Sequence, residues 1–544
     1  MSAEISKQKK VFFYFLRSRW LLWLVLVIFT VFKLPYLSAA FYWDESWPYA
    51  AAVKTMFHHG ISLLPNALDP QLSRGHPLFF HATIAGWMKI FGDNNLAMHS
   101  FALFVSLCFL VSIYESIKRI FNVRAASIAL IFVACNVTFF VQSSFVLPEI
   151  LLSFLTLAGI FFYLKRHYLL ATIFLTAMLL TKESGLVGWA VVLTDISVQF
   201  FLKKETLRNK IIGLVPVVVP ILFVGIFFLL QKHYSGWYIF PFHKDSIQSN
   251  LVDVWYRFRA CTIMVVFCKD LLYLIFLLLA LLFSIAVVTK RILQSKIQLW
   301  LPVCLMIFYF MVFVLTDDKR YDSFVRHFPN YFAITFLAYA TFYIIILWGL
   351  SRFLDHPLQR RYLLVLGMFV LAYMLFSSTV VYVGRYLISA IIPILIITAV
   401  IIDKLWELVP QWLLYTSGIA MFIILSSSFY FSTSNGDCDM GYFDALKVQT
   451  ELVRYLEEHQ YYDEHITSLS FLNEVHLTNP NTGFLSGTRF FTHIDQSVHD
   501  SDRLVIIDNI ESDRNRDSLL IATKYQVVKK IIHGNSWVEV KERK

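Results

Sequence analysis

Residues 185–231 read GLVGWAVVLTDISVQFFL, then KKETLRNK, then IIGLVPVVVPILFVGIFFLLQ. Two apolar runs of membrane-crossing length enclose a short segment holding Lys203, Lys204, Arg208 and Lys210. A bilayer core takes about 20 apolar residues per helical span. A helix satisfies its own backbone hydrogen bonds, which lipid cannot do. Transmembrane β-strands would instead show shorter, alternating segments, and none is visible. This stretch therefore reads as two membrane helices joined by a cytoplasmic loop, because loops on that side collect Lys and Arg.

The same grammar extends in both directions. Spans are expected at 20–37, 97–117, 125–142, 147–164, 168–181, 185–202, 211–231, 270–289, 298–315, 330–350, 362–382, 386–402 and 412–431, about thirteen in all. With the Lys7, Lys9, Lys10, Arg17 and Arg19 end placed in the cytoplasm, every second connection should be basic. Lys118-Arg119 with Arg124, Lys165-Arg166, the 203–210 loop, Lys290-Arg291 with Lys296, and Arg352 with Arg360-Arg361 fit that rule, five inside loops of six. The sixth, with Lys404, is weakly charged. Across 544 residues, 58% are hydrophobic and only 15% charged, far from a soluble composition. The formal net charge of +10 is explained by these loops and by contact with anionic membrane lipid rather than by nucleic-acid binding. Six scattered cysteines show no metal-ligand spacing. No small-residue cleavage site follows the first apolar run, so it reads as a retained span.

The expected fold class is an all-α polytopic membrane protein with a small C-terminal α/β extramembrane domain. Residues 1–432 form the membrane domain, whose first outer loop, 38–96, carries interfacial helices; residues 433–544 are polar. A helix is expected over 441–459 after the turn-forming Asn435-Gly436-Asp437. Leu504–Ile507 reads as a buried strand, and 525–532 and 537–540 as a hairpin around His533-Gly534-Asn535-Ser536.

Ionisable residues at the outer boundary carry the chemistry. Asp44 and Glu45 are adjacent carboxylates directly after a span, costly unless water, a cation or a reacting partner justifies them. Ser46 is placed to cap a helix with Pro48 in its first turn and Gly60 at its end. The carboxylates would then meet a helix N-terminus, whose field favours ionisation and suits a general base. Arg74-Gly75-His76-Pro77 enters the apolar stretch Leu78–Phe91, an interfacial helix ended by Gly92, with a basic entry able to meet a lipid phosphate. Pro148-Glu149 opens the fourth span. Thr181-Lys182-Glu183-Ser184-Gly185 interrupts two apolar runs, and Arg385-Tyr386-Leu387 precedes a span containing Pro393. Each feature alone reads equally as a loop acid, a cap or a snorkelling cation. Together they fall on one side of a topology chosen from loop charge alone. Carboxylates for an incoming hydroxyl and cations for a departing phosphate suit transfer from a lipid-phosphate donor.

In order, Asp44-Glu45, Gly75-His76-Pro77-Leu78 with Trp87 and Phe91-Gly92, Pro148-Glu149-Ile150-Leu151-Leu152, Thr181–Gly185 and Arg385-Tyr386-Leu387 with Pro393 resemble the GT-C superfamily of membrane glycosyltransferases. Within it the series resembles the protein O-mannosyltransferase-like and aminoarabinose-transferase-like branch. The resemblance is dense over 40–190 and thin from there to 400. It implies a polyprenyl-phosphate sugar donor, a lipid, glycan or protein acceptor, and an inverting single displacement at the extracytoplasmic face of the cell's inner membrane. It implies Asp44 as general base, with Glu45 assisting and Glu149 as a second acid. Arg74, His76, Lys182 and Arg385 would contact the donor phosphate or its lipid pocket. Leu78 follows Pro77 where many relatives have a second Pro, and His76 stands where some have Lys. A histidine is only partly protonated near neutral pH. His233 and His243 could join a carboxylate to hold a divalent metal, as proposed for some relatives; the sequence alone supports no metal or other cofactor, and both read as ordinary loop histidines. The Trp-Trp-Asp-Tyr-Gly signature of oligosaccharyltransferases is absent, which argues against en bloc glycan transfer. A lipid-linked-glycan transporter or flippase, and an inactive lipid-glycan-binding relative, are the alternatives. The transporter should show midplane breaks and repeat symmetry, and no repeat is visible.

Overall fold

The computed structural model describes residues 19–202, 206–266, 354, 356–380, 384–406, 410–499, 501–511 and 518–544. The expected spans 270–289, 298–315 and 330–350, with the basic loop at Lys290-Arg291 and Lys296, lie outside them. Among the described residues five helices are long and apolar enough to cross a membrane: Asn95–Ile120, Glu183–Leu202, Leu207–Ser235, Pro357–Thr379 and Gly384–Trp406. Shorter apolar helices join them at Trp20–Tyr36, Val123–Ala134, Glu149–Leu164, Tyr168–Thr181 and Tyr415–Phe431. The chain is an integral, multi-pass membrane protein.

Asparagines set several helix starts. Asn94 and Asn122 each accept a hydrogen bond at 2.8 Å from the backbone N–H three residues on. Asn136 does the same to Phe139 N at 2.9 Å. That cap splits the expected span 125–142 into Val123–Ala134 and Val137–Gln142. The apolar run continues through the break, so hydropathy could not reveal it. The start of the first outer helix also differs from expectation. Ser46 does not cap it: Trp43–Glu45 forms a 3-10 turn, and the helix Tyr49–His59 begins after Pro48. The Ser46 hydroxyl instead donates to the Phe41 carbonyl at 2.7 Å. Gly60 ends that helix, and Gly92 ends Phe79–Phe91, as expected.

The helix within Gly384–Trp406 is the centre of the bundle, packed against Val123–Ala134, Glu149–Leu164 and Pro357–Thr379. Polar clamps fix the helix ends away from Arg385. Asp403 accepts from Arg124 and, at 2.7 Å, from Asn122 Nδ2. Asp195 pairs with Arg361 at 2.5 Å and accepts from the Tyr163 hydroxyl at 2.6 Å.

After the membrane helices comes the helix Tyr442–Glu458, then a five-stranded mixed sheet. Its strands are β1 (His465–Ser468), β2 (His493–Asp495), β3 (Leu504–Asp508), β4 (Tyr525–His533) and β5 (Ser536–Arg543), in the order β2-β1-β3-β5-β4. β1 runs parallel to β2 and β3, while β5 is antiparallel to β3 and β4. The β4–β5 hairpin turns on Gly534-Asn535, with His533 opposite Ser536. Tyr442–Glu458 lies against β4 and β5, burying Leu446, Leu452, Val453 and Leu456.

Candidate functional site

The buried end of the central helix places Arg385, 2% exposed, among three carboxylates. Its Nη2 contacts Asp44 Oδ2 and its Nη1 contacts Asp437 Oδ2. Its Nε lies 3.9 Å from Glu149 Oε1. Lys182 Nζ reaches the same Glu149 oxygen at 2.9 Å and sits 4.0 Å above the Tyr386 ring. Five chain segments thus meet in one ionic cluster. Glu149 is the first residue of its helix after Pro148, and Lys182 sits where the helix Tyr168–Thr181 breaks into a 3-10 turn. Buried ions need partners, because each loses its hydration. Glu149 and Lys182 are nearly inaccessible, whereas the Asp44 side chain remains 32% exposed and is the open face of the cluster.

Arg74 and Gly75 both adopt left-handed backbone conformations, with φ of 49° and 70°. A Cβ on Gly75 would come within 2.9 Å of Trp237 and Phe240, so only glycine fits beneath that loop. The turn delivers His76 Nδ1 to Glu183 Oε2 at 2.7 Å. The ring of His243 stacks on His76 with centroids 5.0 Å apart. Ligand atoms of His76, Glu183 and His243 all lie within 4.8 Å of one another. His243 Nε2 is buried without a hydrogen-bond partner. Burial, with His76 nearby, pushes the His243 imidazole down to about 4, so it is neutral and its lone pair is available. Two imidazoles and a carboxylate are a donor set that fits zinc or a similar divalent ion. The pairing anticipated from sequence was His233 with His243; only His243 joins this group.

Glu45 points elsewhere. Its carboxylate is 1% exposed and accepts from Tyr42 N at 3.1 Å and Val146 N at 2.6 Å, and lies 3.0 Å from His99 Nε2. Those contacts hold it away from the Asp44 face. The sequence reading missed Asp437, Glu183 and His99. Asp437 was read only as part of a turn, though a buried arginine beside Asp44 implies further carboxylates. His99 stands one helical turn into a capped span, a signal that pointed to packing as much as to a partner.

The C-terminal part docks directly on this loop. The Asn435 carbonyl accepts from the Tyr42 hydroxyl and, at 3.1 Å, from Trp43 Nε1. Phe41 N donates to Thr482 O at 2.9 Å, and His476 Nε2 meets Ser46 Oγ at 3.0 Å. The Ser46 proton is directed to Phe41, so the histidine donates. Burial holds the His476 imidazole down at about 3, hence neutral in the fold. The unfolded chain protonates near 6.5, so below that pH it binds the extra proton and stability falls. The expected loss from this group is about 1.4 kcal/mol per pH unit. The thermal midpoint should drop between pH 7 and 5, and His476→Gln should flatten part of that drop. An identical pH slope in both proteins would exclude His476 as its source.

Residues 75–228 match the family model described as dolichyl-phosphate-mannose-protein mannosyltransferase. No curated protein matches the chain. Among solved structures, the chain is similar to ArnT from Cupriavidus metallidurans bound to undecaprenyl phosphate, at 14% identity and a TM-score of 0.50, over 96% of this chain and 98% of that one. The apo form of the same ArnT gives 13% identity and a TM-score of 0.47, over 94% and 97%. An apo oligosaccharyltransferase from Archaeoglobus fulgidus gives 12% and 0.43, over 90% of this chain and 70% of that one. At such identities the first likeness shows the fold alone, and the others add no argument. The matched segment and the ArnT-like fold agree with the GT-C resemblance.

Proposed function

Taking the chain as a membrane glycosyltransferase related to the dolichyl-phosphate-mannose-protein mannosyltransferases, we propose that it moves a sugar from a polyprenyl-phosphate donor to an acceptor hydroxyl by an inverting single displacement at the extracytoplasmic face. The observation that carries this reading is the cluster in which Arg385 joins Asp44, Asp437 and Glu149 while Lys182 pairs with Glu149. Asp44 is the general base: its open carboxylate takes the proton of the acceptor hydroxyl. The hydroxyl oxygen forms a bond to the anomeric carbon as the bond from that carbon to the phosphate oxygen breaks. The bonding electrons leave with the polyprenyl phosphate. Lys182 and Arg385 face that developing charge from fixed positions, which is where preorganised cations help most.

Charge decides where the phosphate sits. The cluster holds three carboxylates, Asp44, Asp437 and Glu149, against two cations, Lys182 and Arg385. A further anion is therefore better received on the side of Lys182 nearer Arg74. A divalent ion held by His76, Glu183 and His243 would add positive charge there. Glu149 acts by holding both cations, and Glu45 by fixing the Trp43–Glu45 turn rather than by touching substrate. Homologous folds are known with lipid phosphate, the ArnT structure with undecaprenyl phosphate among them.

Purified protein offered a panel of polyprenyl-phosphate sugars should release polyprenyl phosphate and glycosylate an acceptor. Turnover of no donor, together with measured substrate flux in liposomes, would replace the enzyme with a transporter. The metal group has its own test. Zinc added to the chelator-treated protein should bind one equivalent and raise the thermal midpoint, because a ligand of the folded state stabilises it by mass action. His243→Ala should lose most of that rise. An equal rise in the variant would remove the site.

A further inference from the structure

We propose that the cleft between the Trp43 turn and the C-terminal sheet binds a neutral, polyhydroxylated acceptor, a glycan, and presents one of its hydroxyls to Asp44. The inference deepens the function above and rests on it. The cleft has a volume of about 390 Å³, within the size of small-molecule sites. Trp43, Thr433, Ser434, Asn435, Asn509 and Asn535 line it, and no lining residue is ionisable. Hydroxyls and side-chain amides both donate and accept, which is what a sugar's alternating hydroxyl donors and acceptors require. An indole ring offers an apolar face for the C–H side of a pyranose. A charged acceptor would find no counter-charge among these lining residues.

The cleft is joined to the ionic cluster by two short paths. Trp43 immediately precedes Asp44. Asn435 stands two residues before Asp437, which shares Arg385 with Asp44. Trp43 is also held in a conformation its side chain disfavours. Its φ is 50°, in the left-handed region that a bulky residue rarely adopts. The surroundings enforce it: Trp43 Nε1 donates to the Asn435 carbonyl at 3.1 Å, while the next residue turns back to Arg385. The turn therefore puts the indole in the cleft and the carboxylate on the cluster at once. The amides are likewise preset: Asn435 Oδ1 accepts from Ser536 Oγ at 2.9 Å and Asn509 Oδ1 from Trp537 N at 2.7 Å, so what these two can still offer a ligand is a donor, and Asn535 supplies the acceptor. Asn435 Nδ2 donates to Asn509 O at 3.1 Å, and Asn509 Nδ2 donates to Asn535 O at 2.6 Å. Asn535 itself occupies the tip of the β4–β5 hairpin with an exposed side chain. An acceptor hydroxyl seated between Trp43 and this amide row would lose its proton to Asp44 and form the new glycosidic bond, with polyprenyl phosphate leaving.

The test uses the full chain in lipid nanodiscs and a set of methyl hexosides and methyl pentosides, each offered alone. Binding is read by saturation-transfer NMR without donor, and transfer is then read with the polyprenyl-phosphate sugar panel. At least one glycoside should bind saturably and accept sugar. Asn535→Ala should raise its dissociation constant and KM at least tenfold, with kcat changed less than threefold, and Trp43→Ala should raise the dissociation constant at least tenfold. Asn535→Ala alters only an exposed turn side chain, so it answers the question even where Trp43→Ala fails to fold. Glycoside binding of equal strength in wild type and Asn535→Ala overturns the proposal. So does transfer confined to a serine- and threonine-containing peptide, with no saturable glycoside binding; the glycosyltransferase reading would then stand. Glycoside binding that weakens in both variants, without turnover of any donor, leaves the cleft in place and removes the transferase.

Discussion

The Asp44→Asn protein is expected to transfer sugar about 10²- to 10⁴-fold more slowly than wild type, the range a positioned general base supplies. The substitution preserves shape and leaves an amide oxygen facing Arg385. The fold and the thermal midpoint should therefore change little. Donor binding should also persist, because the cations placed toward the phosphate are Lys182, Arg385 and Arg74 rather than Asp44. The loss should thus fall on kcat, with the donor KM within a few-fold of wild type. Asp437→Asn is the internal control. It also removes one negative charge beside Arg385, but that carboxylate is buried and cannot face an acceptor. If Asp44→Asn turns over at the wild-type rate, or if Asp437→Asn loses as much kcat, Asp44 is not the base.

The second large effect is expected at Arg385. In Arg385→Leu, Asp44, Asp437 and part of the field around Glu149 lose their counter-charge in a buried setting. Breaking such a pair costs about 3–5 kcal/mol. That protein should be poorly folded and inactive, which alone would not separate structure from chemistry. Arg385→Lys separates them. A lysine keeps the charge but not the planar fork that reaches Asp44 with one nitrogen and Asp437 with another. It should retain most of the thermal stability yet lose about 10²-fold or more in kcat, as when a preorganised donor is removed. Wild-type kcat in Arg385→Lys would show that only charge matters there and that the two-pronged contact is dispensable.

Much of the membrane fold was legible in the sequence because hydropathy is local. The helices at 95–120, 149–164, 168–181 and 411–431 start and stop within a few residues of their apolar runs. The helix Tyr442–Glu458 and the β4–β5 hairpin were equally visible, through the Asn-Gly-Asp turn and the Gly534-Asn535 loop. What could not be read was pairing over distance. Asp44, Glu149, Lys182 and Arg385 were each recognisable as misplaced ions, and the fold gathers them; nothing local says that Asp437 completes the set from beyond the last span. Glu45 illustrates the reverse. Adjacent carboxylates look alike in sequence, yet the 3-10 turn sends one to Arg385 and the other into a nest of backbone N–H groups near His99. The Ser46 cap failed for the same reason, since a hydroxyl takes whichever acceptor the tertiary fold offers nearest.

Arg385 draws its two shortest partners from opposite banks of a seam, Asp44 from the outer loop and Asp437 from the segment that leads into the sheet. The two banks are therefore tied together through one side chain. A polypeptide severed between 432 and 433 would leave one Arg385 nitrogen without its acceptor on one fragment and Asp437 without its counter-charge on the other, however well each folded. Dissecting such a molecule into a minimal membrane core would erase the two-sided contact being sought, and anything that wedges the seam open would break the same contact.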